Sequence, residues 1–509
     1  MLSIATLKQF AREGARILAA EADLAQFELY CSSAEQLVMR LNYTSDIPSS
    51  GVEECKSLGA DGFAIRIVPR RDRHEIGSSF IAGDLSGDAV REALARARRA
   101  AVIDPHSPGL PETPRRLKLY TNGAGGDLMR AGSARLVETA WEIVDGAMRA
   151  FARQVAAGSE RQGLIVGGDL SLTRDRFAVA SSNFDEVRAE QAAYFSSSVT
   201  AIIEALDTRS TTTALGASMT ELRRTVPSLG RDAVRRAFAL TNGERPTPGR
   251  YRVVLGRQPI AEILCYLLVP SLTTGAFHAS NSAYHGRFDD RVMDERLSIA
   301  DEPAARGRAI ARRLTCEGLP ARRSQLIRDG RLVGLLSNFY DAQRLAHDEH
   351  RREKLGPKAP ADPLFHAANG YRLGEGGGRR FDSAPAAAAT NVVMRARGGV
   401  SERELIGAVG NGIYVGRVWY TYPINGQRAG DFTCTITGDS YLIRNGRIAA
   451  PLRPNTLRIN ANLDEIFRSP VAIGKRLEPV TVWGASEMFY VPALAAEAVS
   501  LSSVVGAGE

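Results

Sequence analysis

Hydrophobic and polar positions follow three different grains along this chain. The first is helical. In "MLSIATLKQFAREGARILAAEADL" the apolar residues Leu7, Phe10, Ala11, Ile17 and Leu18 recur at helical spacing, which predicts an amphipathic helix. The same stripe returns in "FIAGDLSGDAVREALARARRAAVI", through Val90, Leu94 and Ala97, behind a cap signal at Asp84 and Ser86. It is also present in residues 133–158 and in "MTELRRTVPSLGRDAVRRAFALTNG", each read as one helix. The second grain is strict alternation. "QFELYCSS" (26–33), "LVMRLNYT" and "GFAIRIVPRR" predict strands, and "GLIVGGDLSLTRDRFAVASSNFDEVRAEQAAYFSSSVTAIIEAL" predicts a meander of antiparallel strands. The third begins near residue 245, where short strands are punctuated by Gly and Asn. There "RDGR" and "RNGR" predict type I′ hairpin turns, whose twist matches that of the flanking strands.

These grains predict an α+β fold in two parts. Residues 1–245 are expected to form an N-terminal α/β sandwich-like domain, with a Pro-rich linker near 104–116. Residues 246–509 are expected to form a largely antiparallel, barrel-like β domain with a few helices. A chain of 509 residues is too long for one simple core, which agrees with that division.

Composition narrows the class rather than the activity. Lys plus Arg exceed Asp plus Glu by 65 − 57 = 8, without any dense basic block, so the chain reads as a mildly basic globular protein. Five scattered cysteines, Cys31, Cys55, Cys265, Cys316 and Cys434, lack C-x-x-C spacing and indicate neither a disulfide framework nor a zinc ribbon. No apolar run approaches the ~20 residues needed to cross a bilayer, and the N-terminus does not read as a signal peptide. The expected compartment is the cytoplasm.

One stretch raises a chemical question. "RQPIAEILCYLL" (257–268) follows the strand-like "RYRVVLG" and sets Glu262 among Ile260, Ile263, Leu264 and Leu268. A buried carboxylate is costly unless paired or functional. The pattern leaves three readings open: a catalyst, the remnant of one, or a solvent-facing helix position. The histidines decide little. His347 and His350 lie in a densely charged stretch that reads as a solvated helix end, while His278 and His285 flank a polar loop with no third ligand to complete a metal set. No G-x-S-x-G elbow marks a serine, and "GEGGGRR" (374–380) lacks the strand and the G-K-[ST] of a phosphate cradle, so it reads as a flexible loop.

The order of several C-terminal segments carries more. "DDRVMDERLSIADEP", "CEGLPARRSQLIRDGRLVGLLSN", "ATNVVMRARGGVSERELIGAVGNGIYV", "GDFTCTITGDSYLIRNGRIAAPL" and "RINANLDEIF" resemble the TldD/TldE (PmbA) family, long labelled modulators of DNA gyrase. "GADGFAIRIVPRRDRHEIGSSFIAGDLSGDAVREAL" is similar to the family's first domain, so the resemblance spans roughly residues 30–490.

The resemblance implies a two-subunit zinc peptidase. Its TldD-type subunit carries His-Glu-x-x-x-His on a helix and a Cys near the C-terminus. Zinc there lowers the pKa of a bound water and the Glu serves as general base. The TldE-type subunit lacks the ligands and closes the chamber; some family pairs act on amides in natural-product pathways. Set against that motif, Ala261 and Tyr266 stand where the histidines would be, Glu262 stands where the Glu would be, and "VTVWGASEMFYVPAL" has no Cys. The resemblance therefore implies a TldE-like chain that binds no metal itself, beside a zinc-bearing TldD-like partner or in a homodimer. Glu262 is the candidate catalytic or vestigial residue, and Tyr266, His278 and His285 are candidates for the substrate cavity. Segments 269–286 and 355–390 are expected to line or cover the chamber.

Two other readings stay open at this point. In one, the chain hydrolyses an amide or ester by its own residues, with Glu262 as base. In the other, it is a non-enzymatic binding protein using a basic surface, although no nucleic-acid-binding motif is visible.

Overall fold

The computed structural model of the chain describes residues 1–47, 50–113, 126–155, 162–305, 307–360, 365–374 and 378–504. The fold is α+β. An eight-stranded antiparallel sheet runs in the order 102–103, 75–82, 56–69, 24–44, 164–181, 188–203, 208–216, with the short strand Gly51–Val52 added to Leu24–Thr44. Every strand of this sheet precedes residue 217, and every strand of the remaining sheets follows residue 248.

Side-chain alternation gives the sheet two different faces. On Leu24–Thr44, the odd-numbered Phe27, Leu29 and Cys31 pack under helices Ile4–Ala19 and Gly87–Arg99. Further along, Leu37, Met39 and Leu41 pack under Ser133–Gln154 and Leu229–Ala239. The even-numbered Tyr30 turns the other way, into a cluster with Leu314 and Tyr371 from the second half of the chain. The strand Arg188–Ile203 repeats this rule: Phe195, Val199 and Ala201 join the helix-side core, while Ser196, Ser198 and Thr200 face away from it. Apolar burial thus fixes the register of these long strands, because a slip of one residue would put Phe195 on the hydroxyl face.

The second half of the chain holds a nine-stranded sheet curled into a half-barrel and a six-stranded sheet. The half-barrel follows the order 417–423, 431–438, 457–462, 494–503, 249–255, 412–415, 441–444, 447–451. Most of its pairs are antiparallel; the pairing of Gly412–Val415 with Gly249–Leu255 is parallel, as is that of Asn391–Ala396 with Met488–Val491 in the smaller sheet. One large apolar cluster, containing Val253, Ile260, Leu264, Phe432 and Phe489, fills the space around the helix that begins at Arg257.

Local signals set several boundaries. Ser86 caps its helix by accepting from the amide of Ala89, and Asp84 accepts from the amide of Ser86. Both predicted hairpins form with left-handed turn residues, Asp329 and Gly330 at φ 46° and 75°, and Asn445 and Gly446 at φ 49° and 70°. The stretch 219–243 is not one helix. It divides into Met219–Thr225 and Leu229–Ala239 around a 3₁₀ turn holding Pro227, whose missing N–H and ring clash interrupt a continuous helix.

Buried ion pairs fasten the two halves together. Arg379, wholly buried, reaches back to Asp175 with Nη2 2.6 Å from Oδ1, and also to Glu190. Glu28 accepts from Arg66 at 2.6 Å and from Arg372 at 3.2 Å. The predicted flexible loop at 374–380 therefore ends in a seam residue, although its positions 375–377 lie outside the described residues.

Candidate functional site

Between the hydroxyl face of the first sheet and the open side of the half-barrel lies a cavity of about 1010 Å³. One wall is built from Ser171, Thr173, Ser196, Ser198, Thr200 and Thr211. The opposite wall brings Glu262, Arg417, Asp439 and Glu487, with Trp419 and Trp483 at the rim.

Glu262 is placed by the element that precedes it. The helix Arg257–Ile263 starts directly off Gly249–Leu255, and Gln258 in its first turn grips the half-barrel's edge strand. Gln258 Oε1 accepts from the amide of Val418 at 2.9 Å, and its Nε2 donates to the Val418 carbonyl at 3.2 Å. The same Nε2 donates to Glu262 Oε1 at 2.9 Å, one helical turn on. Glu262 is only 3% exposed, which rules out the solvent-facing reading. Burial pushes its carboxyl up to about 7, against the opposing pull of the Thr421 hydroxyl, the Arg417 guanidinium and Gln258.

Beyond Ile263 the backbone widens into a π-helix over Leu264–Leu268. In a regular α-helix, positions five apart point about 140° away from each other. The i→i+5 pairing of a π turn brings such positions toward one face, and π turns are frequent at functional sites. Tyr266, five residues after Ala261, accordingly reaches the rim: its hydroxyl donates to the Trp483 carbonyl at 2.6 Å, and burial raises the phenol to about 12. Tyr266 thus holds the rim in place without lining the cavity itself.

The neighbouring acids share one environment. Glu487 accepts from Cys265 Sγ at 3.7 Å, and burial raises both groups. Asp439 accepts from Ser210 Oγ at 2.5 Å and from the amide of Thr211 at 3.4 Å, and burial raises it too. Arg417 lies close enough to Glu262 and Asp439 to be drawn upward by both, yet its own burial dominates and lowers it. A carboxyl that changes protonation near neutrality in a cavity wall can accept or donate a proton.

The donor set does not fit zinc. Ala261 offers a methyl group, the Tyr266 hydroxyl is committed to a carbonyl, and the Cys265 thiol is held protonated beside a carboxyl. Among the described residues no three His, Cys, Asp or Glu side chains come together as a metal-binding group.

The histidine candidates lie elsewhere, and neither lines the cavity. His278 Nε2 sits 3.3 Å from Asp348 Oδ2, with its ring edge-on to His106. His285 Nδ1 meets Arg428 at 3.3 Å. Burial lowers both rings below the usual imidazole range. The segment 269–286 does not line the cavity either, and among the described residues of 355–390 only Gly374 does so. Glu487, Asp439 and the hydroxyl face were missed from sequence. Only the hydroxyl face had a visible signal, the Ser/Thr residues alternating with core residues in "YFSSSVT".

The sequence model of the PmbA/TldA metallopeptidase C-terminal domain matches residues 248–503, just over half of the chain. The chain belongs to the PmbA/TldD family. Solved structures agree with that fold along nearly the whole length. TldE from Thermococcus kodakarensis superposes with a TM-score of 0.72 at 17% identity, covering 98% of this chain and 100% of that one. A protein described as a modulator of DNA gyrase from Bacteroides thetaiotaomicron gives 0.70 at 17% identity, over 98% and 99% of the two chains. A second protein so described, from Thermotoga maritima, gives 0.72 at 15% identity, over 98% and 100%. No curated protein matches the chain in sequence. Among the described residues no helix is long and apolar enough to cross a membrane.

Proposed function

We propose that this chain is the metal-free, TldE-type half of a two-subunit amide hydrolase. It forms part of the substrate chamber, and a TldD-type partner brings the zinc. The observation that carries this reading is the wall around Glu262: family membership and the cavity coincide with a helix whose ligand positions are Ala261 and Tyr266. The substrate class is a peptide or another small amide, and natural-product maturation is a setting in which such a specialised pair would act. Co-expression with the nearest His-Glu-x-x-x-His relative from the same source tests the reading. A stable mixed dimer with chelator-sensitive amidase activity supports it; a chain that never joins that relative, and is inactive beside it, contradicts it.

One observation favours a second reading, in which the chain hydrolyses on its own. Glu262 changes protonation near neutrality and faces the cavity, as a general base must. Under this reading the purified chain turns over an amide or ester in the presence of chelator, and Glu262→Gln abolishes that turnover.

A further inference from the structure

Four carboxyl groups line the cavity, those of Asp169, Glu262, Asp439 and Glu487, and among the described residues none of them forms an ion pair. Elsewhere in this chain several buried acids are matched with arginines, as Glu28 is with Arg66 and Arg372. Near Arg417 the mismatch is partly relieved, because that guanidinium serves both Glu262 and Asp439. Near Glu487 the side-chain hydrogen-bond partner is the thiol of Cys265, and the Arg312 guanidinium favours the charged carboxylate without forming an ion pair with it.

An independent feature lines the same cavity. Trp483 is 71% exposed and its ring centroid lies 5.8 Å from that of Trp419. Tyr420, 70% exposed, sits beside Trp419 with its centroid 6.2 Å away. Its φ of 56° is unusual for a residue with a side chain, and it falls where the ladder between 417–423 and 431–438 loses register. These three large aromatic rings line a polar cavity and are not core, since Trp483 and Tyr420 are exposed and Trp419 is half-buried. Aromatic faces attract cations through the ring quadrupole, and a carboxylate that lines the same cavity without an ion pair attracts the same charge.

We propose that the Trp419–Trp483 rim and Glu487 form the seat for a substrate's primary ammonium group. The aromatic faces cover the cation and the carboxylate accepts its hydrogen bonds. The Ser/Thr wall opposite then receives the polar remainder of the molecule. A peptide N-terminus and the amino group of a sugar present this same chemistry. The inference rests on the cavity being the substrate chamber. A chain that binds amines yet never joins a zinc-bearing relative would leave this inference standing and overturn the two-subunit reading; a mixed dimer indifferent to amines would do the reverse.

The chain contains three tryptophans, Trp141, Trp419 and Trp483, so Trp141→Phe leaves emission from the cavity rim alone. The full-length W141F chain is titrated with trialanine amide, its N-acetyl form, glucosamine and N-acetylglucosamine. The expected result is a saturable change in emission with at least one free amine, and binding about tenfold or more weaker for its acetylated twin. The better of the two amines identifies the source of the group. Glu487→Gln is expected to weaken that binding by about tenfold. Trp483→Ala, at an exposed position that does not threaten folding, is expected to weaken it by severalfold when read by calorimetry. Equal binding of free and acetylated forms, or no saturable response to either amine up to ~10 mM, overturns the proposal.

Discussion

Two buried carboxylates, Glu28 at the seam between the halves and Glu262 in the cavity wall, behave oppositely. At the seam between the halves, Glu28 is wholly buried, yet two arginines hold its carboxyl below the usual range. In the cavity wall, Glu262 is comparably buried but has an amide, a hydroxyl and a guanidinium, that of Arg417, which forms no ion pair with it, and it rises to about 7. Burial pushes both in the same direction; the difference is whether guanidinium groups pair directly with the carboxylate. Glu28 is therefore held charged as a clamp. The cavity acids are raised by burial, Glu262 to about 7, and a carboxyl that changes protonation near neutrality suits a site that meets substrate.

The sharpest way to break this contrast is to remove a seam arginine. Arg379→Ala strands Asp175 and Glu190 in the interior, and the loss of a buried partner costs about 3–5 kcal/mol. Urea unfolding is expected to show a loss of that size. Arg379→Lys should recover only part of it, because an ammonium cannot reproduce the fork across Asp175.

Glu262→Gln should act with the opposite sign. The folded chain keeps the Glu262 proton up to about pH 7, whereas the unfolded chain releases it near the ordinary glutamate value of 4.5. The folded state thus binds more protons between those values, and the wild type loses stability as pH rises through that window. The variant lacks this loss, so its stability relative to wild type should improve by about 2–3 kcal/mol between pH 4 and pH 8. Urea midpoints at the two pH values measure it. No change in relative stability would mean that Glu262 is matched by a charge after all.

How much of this was legible in the sequence depends on the range of each interaction. The hairpins at Asp329-Gly330 and Asn445-Gly446 were readable because a left-handed turn is a two-residue decision. Pro227 carried the signal that divides its helix, but the apolar stripe on both sides masked it. The long strands were readable from alternation; the purpose of their Ser/Thr face was not, because most of what covers it, Arg417, Asp439 and Glu487, lies more than 200 residues further on. The distance between partners also hid Arg379, whose acids stand 204 and 189 positions away. Glu262 drew attention by being acidic in an apolar run, and the structure sets it in the cavity wall. His278 and His285 drew attention by chemistry alone, which carries no information about placement, and they lie outside the cavity.

A smaller effect sharpens the same contrast from the thiol side. Cys265 is 8% exposed, and burial together with Glu487 keeps its thiol protonated. At pH 8, a thiol-reactive disulfide reagent should label Cys55 first, since the other four cysteines are buried. Glu487→Gln should leave Cys265 slow, because burial is the first cause of its inertness. The smallest effect belongs to His278: His278→Ala removes a partly exposed contact to Asp348 and should cost no more than about 1 kcal/mol. It should leave any cavity binding unchanged.

The most direct test of the central claim is the zinc content of the chain purified alone and in complex with its zinc-motif relative, by elemental analysis after dialysis. The account predicts no stoichiometric zinc in the isolated chain and one zinc per mixed dimer, unchanged by Glu262→Gln in this subunit. One zinc per isolated chain, lost on Glu262→Gln, would contradict it.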